Sequence, residues 1–259
     1  MRRDEQIAEN TTKSSPCAGP SLTWRSPRRA KAKAATKRAP EGRAHASFGP
    51  VQHRRAAAVM TGSFGVRRAT AADTDRVTDI VSAAFASDPL WARAMALPGG
   101  GTAHHREFWR LFVEGALRYP WSWLTSGGEA VAIWIPPGGT EMTPEQEQRL
   151  EHLATDLLGT AADGYLELLR RFDEAHPRAQ AHYYLSLLAT DPAHRGKGIG
   201  MRLLAHDLDL IDAEHRPAYL ESSNPANDRR YASVGFQPHG EFGYPGGGPV
   251  VTTMWRPAR

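Results

Sequence analysis

Hydrophobic and polar positions alternate with two periods along the chain from residue 64 onward, and these periods predict strands and helices in turn. Strands are expected at 64–69, 121–125, 130–135, 182–190, 217–222, 236–242 and 250–255. Helices are expected from 70 to 87, at 102–118, from 143 to 175 with a break near 159–164, at 199–214 and near 227–234. Residues 90–101 are expected to form a connection. The pattern predicts a single mixed-sheet α/β domain.

Glycine and proline mark the ends of these elements. Residues 126–129 (SGGE) separate two strand-like segments and predict a hairpin, because glycine tolerates the positive φ of tight turns. Residues 136–139 (PPGG) end the second of these strands. The sequence Thr143-Pro144 with Gln146 is typical of a capped helix start. Asp88-Pro89 is expected to end the first helix.

Composition excludes several classes of protein. The chain has 259 residues, of which 41% are hydrophobic, and no stretch approaches the roughly 18 apolar residues that span a bilayer. The N-terminus has charge but no apolar run of a secretory signal, so a cytoplasmic protein without membrane contact is expected. The single cysteine, Cys17, excludes an internal disulfide and a cysteine-based zinc site.

Charge divides the chain into two parts. Residues 1–59 hold 13 of the 32 Lys and Arg residues but only 4 of the 28 Asp and Glu residues, so the remainder is acidic. We expect 1–59 to be a disordered basic extension, because it has few aliphatic residues and no periodicity. A nucleic-acid-binding tail around 25–38, a transit peptide, and translation beginning at Met60 are left open. For the domain at 60–259 no nucleic-acid partner is expected.

A glycine-rich segment at 195–200 (RGKGIG) joins a predicted strand to a predicted helix. Such a turn directs free backbone N–H groups and the positive end of the helix dipole at one point, where an anion can bind. The dinucleotide pattern fails because Met201 stands where its last glycine belongs, and the triphosphate-loop pattern fails because Gly198 follows Gly196-Lys197. A purely structural turn is the alternative.

Two motifs in this region resemble one family. Residues 190–200 (TDPAHRGKGIG) resemble the acetyl-CoA loop of the GNAT N-acetyltransferases, whose pattern Gln/Arg-x-x-Gly-x-Gly/Ala is filled by Arg195, Gly198 and Gly200. Residues 220–236 (LESSNPANDRRYASVGF) resemble the second motif, an Asn, a short helix with a Tyr, then Gly-Phe. The segments at 188–192 (LATDP) and 220–225 (LESSNP) are similar to those of the puromycin N-acetyltransferase branch. The resemblance covers roughly 66–257, with the motifs inside 182–236.

The resemblance implies an α/β (α+β) fold, in which a central, mostly antiparallel sheet is splayed between its fourth and fifth strands and flanked by helices. It also implies that the fourth strand binds pantetheine through its backbone and that the loop binds pyrophosphate. The cofactor-binding residues would be Leu188, Ala189, Thr190, Arg195, Gly196, Lys197, Gly198, Ile199, Gly200, Met201, Asn224 and Asn227. The alternatives are a plain core strand for residues 188–190, solvated charge for Arg195 and Lys197, and a turn-forming Asn-Pro pair for Asn224.

The same resemblance implies catalytic roles. Tyr231 matches the general acid, since a phenol can protonate the leaving thiolate; a core tyrosine is the alternative. Glu221, on a strand lining the cleft, is the first candidate for the general base, with a structural ion pair equally open. A backbone N–H near Ala189 would meet the oxyanion. The acceptor pocket would include Phe85, Asp88, Trp91 and Trp134, although core packing is favoured for Phe85 and Trp134.

The expected function is transfer of acetyl from acetyl-CoA to a primary amine of a small molecule in a ternary complex. Residues 60–259 contain no cysteine, which excludes a cysteine acyl-enzyme there. The alternatives are protein or peptide N-acetylation, favoured by an open acidic groove, and a CoA-binding regulatory module without turnover. No metal is expected, because His104 and His105 diverge on a helix and the other histidines lack ligand spacing. A homodimer is left open.

Overall fold

The structure is a computed structural model that describes residues 64–259. The basic extension predicted at 1–59, its alternative functions and the start at Met60 lie outside the described residues, so they stay predictions. Residues 64–259 belong to one compact unit.

The described chain forms strands and helices in the predicted order. The strands are β1 (Val66–Arg68), β2 (Ser122–Thr125), β3 (Ala130–Ile135), β4 (Tyr183–Thr190), β5 (Ala218–Ser222), β6 (Gln237–Gly243) and β7 (Val250–Arg256). The helices are α1 (Thr74–Phe85), α2 (Pro89–Ala94), α3 (His105–Ala116), α4 (Pro144–Leu158), α5 (Ala162–Ala175), α6 (Ile199–Ala213) and α7 (Asp228–Ser233).

Helix α2 corrects one prediction, since it lies partly in the expected connection at 90–101. Asp88 is its N-cap, and one carboxylate oxygen accepts the N–H groups of Leu90 at 3.0 Å and Trp91 at 3.2 Å. Pro89 fills the first helical position, where its missing N–H costs nothing. The Asp-Pro pair therefore starts a helix immediately after it ends one.

The sheet has the order β1-β2-β3-β4-β5-β7-β6. All of its strand pairs are antiparallel except β4 with β5, which are parallel. Helices pack on it in two cores, one built with α1, α3, α4 and α5 and the other with α6. The predicted mixed α/β fold with a mostly antiparallel sheet is confirmed.

Strand β4 separates from β5 after three residue pairs. Tyr183, Tyr184 and Leu185 pair with β5, whereas residues 187–190 pair with β3 alone. The register between β3 and β4 moves by one residue at this point, which leaves Ser186 as an extra residue in β4. Such a bulge bends a strand and increases its twist. Within the described residues, the edge of β4 that faces β5 is therefore open over 186–190.

Candidate active site

The loop between β4 and α6 presents free backbone donors. Gly196 and Gly198 have φ values of +77° and +70°, and a Cβ added to either would meet no atom within 4 Å. The first helical hydrogen bond runs from the Arg202 N–H to the Gly198 carbonyl at 3.0 Å. In the described part of the chain, the N–H groups of residues 196–201 have no backbone acceptor. These donors and the helix dipole make the loop suited to an anion.

Gly200 brings this loop against the open edge of β4. A Cβ at Gly200 would lie 2.6 Å from the Thr190 Oγ1 atom, so a larger residue would push the first turn of α6 away from the end of the strand. Leu188, Ala189 and Thr190 pair with β3 on one side and lie on the open edge on the other. The structure thus joins an extended free edge to a cluster of free N–H groups.

The two cations of the loop contact the protein. The Arg195 guanidinium donates to the Ala84 carbonyl at 2.6 Å and to the Ser87 hydroxyl at 3.3 Å, and so links the loop to the end of α1. The Lys197 ammonium donates to the Ala193 carbonyl at 3.4 Å. Both side chains are exposed. Arg195 shapes the loop, and contact of either cation with an anion stays a prediction.

The two predicted asparagines stabilise the connection from β5 to α7. The Asn224 side-chain oxygen accepts the Ala226 N–H at 3.1 Å and caps a short 3-10 turn. The Asn227 side-chain oxygen accepts from Arg230 at 2.7 Å. Asn224 thus forms the turn that its alternative predicts, and cofactor binding by either asparagine stays a prediction.

Tyr231 and Asp88 come together from distant parts of the sequence. Tyr231 is half-buried, its ring lies 6.3 Å from that of Phe236, and its hydroxyl has no hydrogen-bond partner among the described residues. Burial, and then the charges of Asp88 and Asp228, raise the pKa of Tyr231 to about 12. The Asp88 carboxylate accepts from the Ser223 hydroxyl at 2.9 Å, and burial raises its pKa.

Glu221 is buried where β5 leaves β4. Its side chain is 2% exposed, and its Oε1 atom lies 3.7 Å from the Nδ1 atom of His176. Its Oε2 atom is buried without a partner in the described part of the chain. Since half of this carboxylate is unpaired, a structural ion pair accounts for only one of its oxygens.

A second buried carboxylate, Glu141, was not found by sequence reasoning. It precedes α4 and accepts a hydrogen bond from Ser186, the bulge residue of β4. Burial raises the pKa of Glu141 to about 7 against the opposing effect of that hydrogen bond, and the charge of Glu221 adds to the rise. Because Glu141 lies in an irregular segment with no periodic pattern, no sequence signal indicated its burial.

The predicted aromatic residues divide between the two faces of the sheet. Phe85 and Trp91 pack in the core built with α1, α3 and α5, and Trp91 stacks on Phe172 with ring centroids 5.5 Å apart. Trp134 is fully buried in the core with α6, and its indole N–H donates to the Asp207 carboxylate at 2.9 Å. The Trp134 side chain therefore packs in the core, which was its favoured alternative, on the other face of the sheet from Phe85 and Trp91.

Comparison with known proteins identifies this architecture. Residues 151–238 match the family model of the acetyltransferase (GNAT) domain. The chain has the GNAT fold. A Corynebacterium glutamicum structure, titled histone acetyltransferase HPA2 and related acetyltransferase, is 27% identical with a TM-score of 0.55, and the match covers 76% of this chain and 98% of that one. The GNAT resemblance is confirmed, whereas the puromycin N-acetyltransferase branch stays a prediction.

Two insect acetyltransferases show the same fold at lower identity. A mosquito arylalkylamine N-acetyltransferase-like protein is 18% identical with a TM-score of 0.52, and the match covers 75% of this chain and 100% of that one. The Drosophila melanogaster polyamine N-acetyltransferase is 17% identical with a TM-score of 0.51, with the same two coverages. At this identity the likeness extends to the fold alone.

Two features are absent from residues 64–259. No helix in this part of the chain has both the length and the apolar character that crossing a membrane requires. No three His, Cys, Asp or Glu side chains in the same residues are grouped so that they could hold a metal ion.

Proposed function

We propose that this protein is an acetyl-CoA-dependent N-acetyltransferase that acts on a primary amine of a small molecule by direct transfer in a ternary complex. The observation that carries the proposal is the open edge of β4, which ends at the free N–H groups of the α6 loop. In this proposal, residues 188–190 bind the pantetheine arm through backbone groups. Residues 196–201 bind the pyrophosphate, where charge-assisted hydrogen bonds are strong.

Acetyl transfer from a thioester to an ammonium group requires two proton movements in opposite directions. The amine must lose a proton before it can attack, and the departing thiolate must gain one. We assign the first to Glu221, whose buried Oε2 atom is free to accept, and the second to Tyr231. A pKa of about 12 keeps the Tyr231 hydroxyl protonated across the neutral range, so the donor form is always present.

The acceptor side supports a small cationic amine. Two buried polar atoms near Glu141, the Glu221 Oε2 and the Tyr165 hydroxyl oxygen, lack partners among the described residues. An ammonium group donates three hydrogen bonds and would satisfy such acceptors. Trp91 and Phe172 supply aromatic surface beside Tyr165, which favours a closed pocket over an open acidic groove. A cytoplasmic location and a puromycin-like aminonucleoside acceptor belong to the same proposal.

Two experiments on the full-length protein test this function. Acetyl-CoA binding is measured by calorimetry, and CoA release is then followed with a panel of diamines, arylalkylamines, an aminonucleoside and an N-terminal peptide. We expect micromolar binding and turnover with at least one small amine. Binding without turnover on any amine would favour the regulatory module, and turnover on the peptide alone would favour protein N-acetylation.

A pair of tyrosine variants tests the assigned acid. Tyr231→Phe should lower kcat by about 10²-fold to 10⁴-fold, which is the usual contribution of a general acid, without changing the acetyl-CoA Kd. Tyr244→Phe is the matched control, because it removes a phenol hydroxyl outside the assigned machinery. If both variants keep the wild-type kcat, Tyr231 is not the proton donor.

A further inference from the structure

Two histidines extend the contacts of Glu221 away from the cleft. His176 follows α5, and its Nδ1 atom lies 3.7 Å from the Glu221 Oε1 atom. Its Nε2 atom lies 3.2 Å from the Nε2 atom of His182, and the Nδ1 atom of His182 lies 2.7 Å from the Gln180 carbonyl. The His176 side chain is 24% exposed, whereas Glu221 is only 2% exposed. The chain of contacts therefore leads from a buried carboxylate to a histidine that reaches solvent.

The Gln180 carbonyl fixes the tautomers of this chain. A carbonyl oxygen only accepts, so the His182 Nδ1 atom must carry a proton. Burial lowers the pKa of His182, which keeps that ring neutral and leaves its Nε2 atom as an acceptor. The His176 Nε2 atom must then donate to it. A neutral His176 consequently has no proton on Nδ1, the atom that faces Glu221.

Two acceptors that face each other attract only when a proton lies between them. The Nδ1 lone pair of His176 and the Glu221 carboxylate are in this arrangement at 3.7 Å. We propose that His176 is the proton-relay residue that takes from Glu221 the proton removed from the acceptor amine and passes it to solvent. This inference rests on the proposed function and adds a second group to its proton path.

Each proton transfer in the relay breaks one bond to hydrogen and forms another. Glu221 removes a proton from the ammonium group of the acceptor, which breaks an N–H bond and forms an O–H bond. A half-turn of the carboxyl group presents this O–H to His176, where the proton moves to Nδ1 and regenerates the carboxylate. The resulting imidazolium keeps its Nε2–H bond to His182. The His176 side chain, which is 24% exposed, then passes the Nδ1 proton to water.

Four other titratable groups lie near the two histidines. The rings of Tyr184 and Tyr219 lie edge-on at 4.9 and 5.1 Å, and burial together with the nearby carboxylates raises both of their pKa values, so both phenols stay neutral. The charge of Arg178 acts on His182 and lowers its pKa further. Burial raises the pKa of Glu141 to about 7, and this carboxylate interacts electrostatically with His176, so it would also shape a pH profile in the neutral range.

The first experiment measures the tautomer of His176 in the wild-type protein by ¹⁵N NMR above neutral pH. It needs no substrate, so it is independent of the proposed function. We expect the Nε2–H form, assigned by comparison with a His176→Gln sample. Observation of the Nδ1–H form would overturn the proposal, because Nδ1 could not then accept a proton from Glu221.

The second experiment is chemical rescue, carried out with an amine that the wild-type protein acetylates. His176→Ala should lower kcat by roughly 10²-fold at neutral pH, and added imidazole should restore much of the loss. Glu221→Gln should show no rescue, and the exposed His152→Ala should behave as wild type. A His176→Ala variant with the wild-type rate, or a slow variant that imidazole does not rescue, would overturn the proposal. In a Glu141→Gln background the rescue should persist, which separates His176 from Glu141.

Discussion

A single methyl group added to the α6 loop tests whether this loop binds the anionic part of acetyl-CoA. Gly198 is the N-cap of α6 at φ +70°, and Gly100, between α2 and α3, has the same φ. A Cβ at either position would meet no protein atom within 4 Å. Gly198→Ala and Gly100→Ala therefore impose the same kind of backbone strain on the folded protein, but only the first places a methyl group where a phosphate would approach.

The expected magnitudes separate strain from binding. Left-handed backbone costs a non-glycine residue about 1–2 kcal/mol, and for a domain of this size each 1 kcal/mol lowers Tm by about 2–4 °C. Both variants should lose a few degrees of Tm. A charge-assisted hydrogen bond contributes about 1.5–3 kcal/mol, so losing one should raise the acetyl-CoA Kd about 10-fold or more in Gly198→Ala only.

Calorimetry and thermal unfolding of the three full-length proteins measure both quantities. A Kd for Gly198→Ala equal to that of Gly100→Ala, at equal losses of Tm, would refute the assignment of the loop as an anion site. The loop would then be the structural turn that the glycines alone also allow.

Three further substitutions test the core and its link to the site. Burial raises the pKa of Asp207 to about 7, so the folded state binds this proton more tightly than the unfolded state. The contribution of Asp207 to the free energy of unfolding should therefore fall by on the order of 4 kcal/mol between about pH 4 and 7. Urea unfolding across that range should show a smaller fall in Asp207→Asn than in the wild-type protein, and equal slopes would contradict this. Asp212→Asn should lower the free energy of unfolding by about 3 kcal/mol. Arg256 is 2% exposed and is paired with Asp212 at 2.6 and 2.7 Å, so the substitution would leave a buried charge without its partner. An unchanged Tm would argue against this reasoning. Gly115→Ala should lower the free energy of unfolding by about 1–3 kcal/mol, because its Cβ would collide with the Glu141 backbone carbonyl. The displaced segment carries Glu141, so kcat should also fall with little change in the acetyl-CoA Kd, and an unchanged Tm would contradict the collision.

The elements of the fold follow closely from local physics. Helices with one apolar face and strands with alternating burial have a period that the sequence states directly, so nearly every predicted element exists within a few residues. Helix α2 is not among the predicted elements, because Asp88-Pro89 is also typical of the end of a helix. The same two residues are a preferred N-cap and first helical position, so the signal for α2 was present.

The splay of the sheet was expected only through the family resemblance. No periodicity distinguishes 186–190 from a strand paired on both sides, since the feature is a missing neighbour and not a property of β4 itself. The bulge at Ser186 leaves no signal in the sequence either, because a single extra residue in an apolar segment alters the register without altering the composition.

The acceptor side could not be predicted for a different reason. The motif residues lie in two short segments, 190–200 and 220–236, where spacing is fixed by the backbone, and Glu221 belongs to the second of them. Glu141 and His176 come from two other segments and meet Glu221 only in the folded chain. A buried carboxylate with an unpaired oxygen costs stability. Such an arrangement is expected to persist where binding or catalysis uses it. The residues of the proposed cofactor half can thus be named from one sequence, while the proposed acceptor half depends on tertiary contacts, which is why the amine must be found by assay.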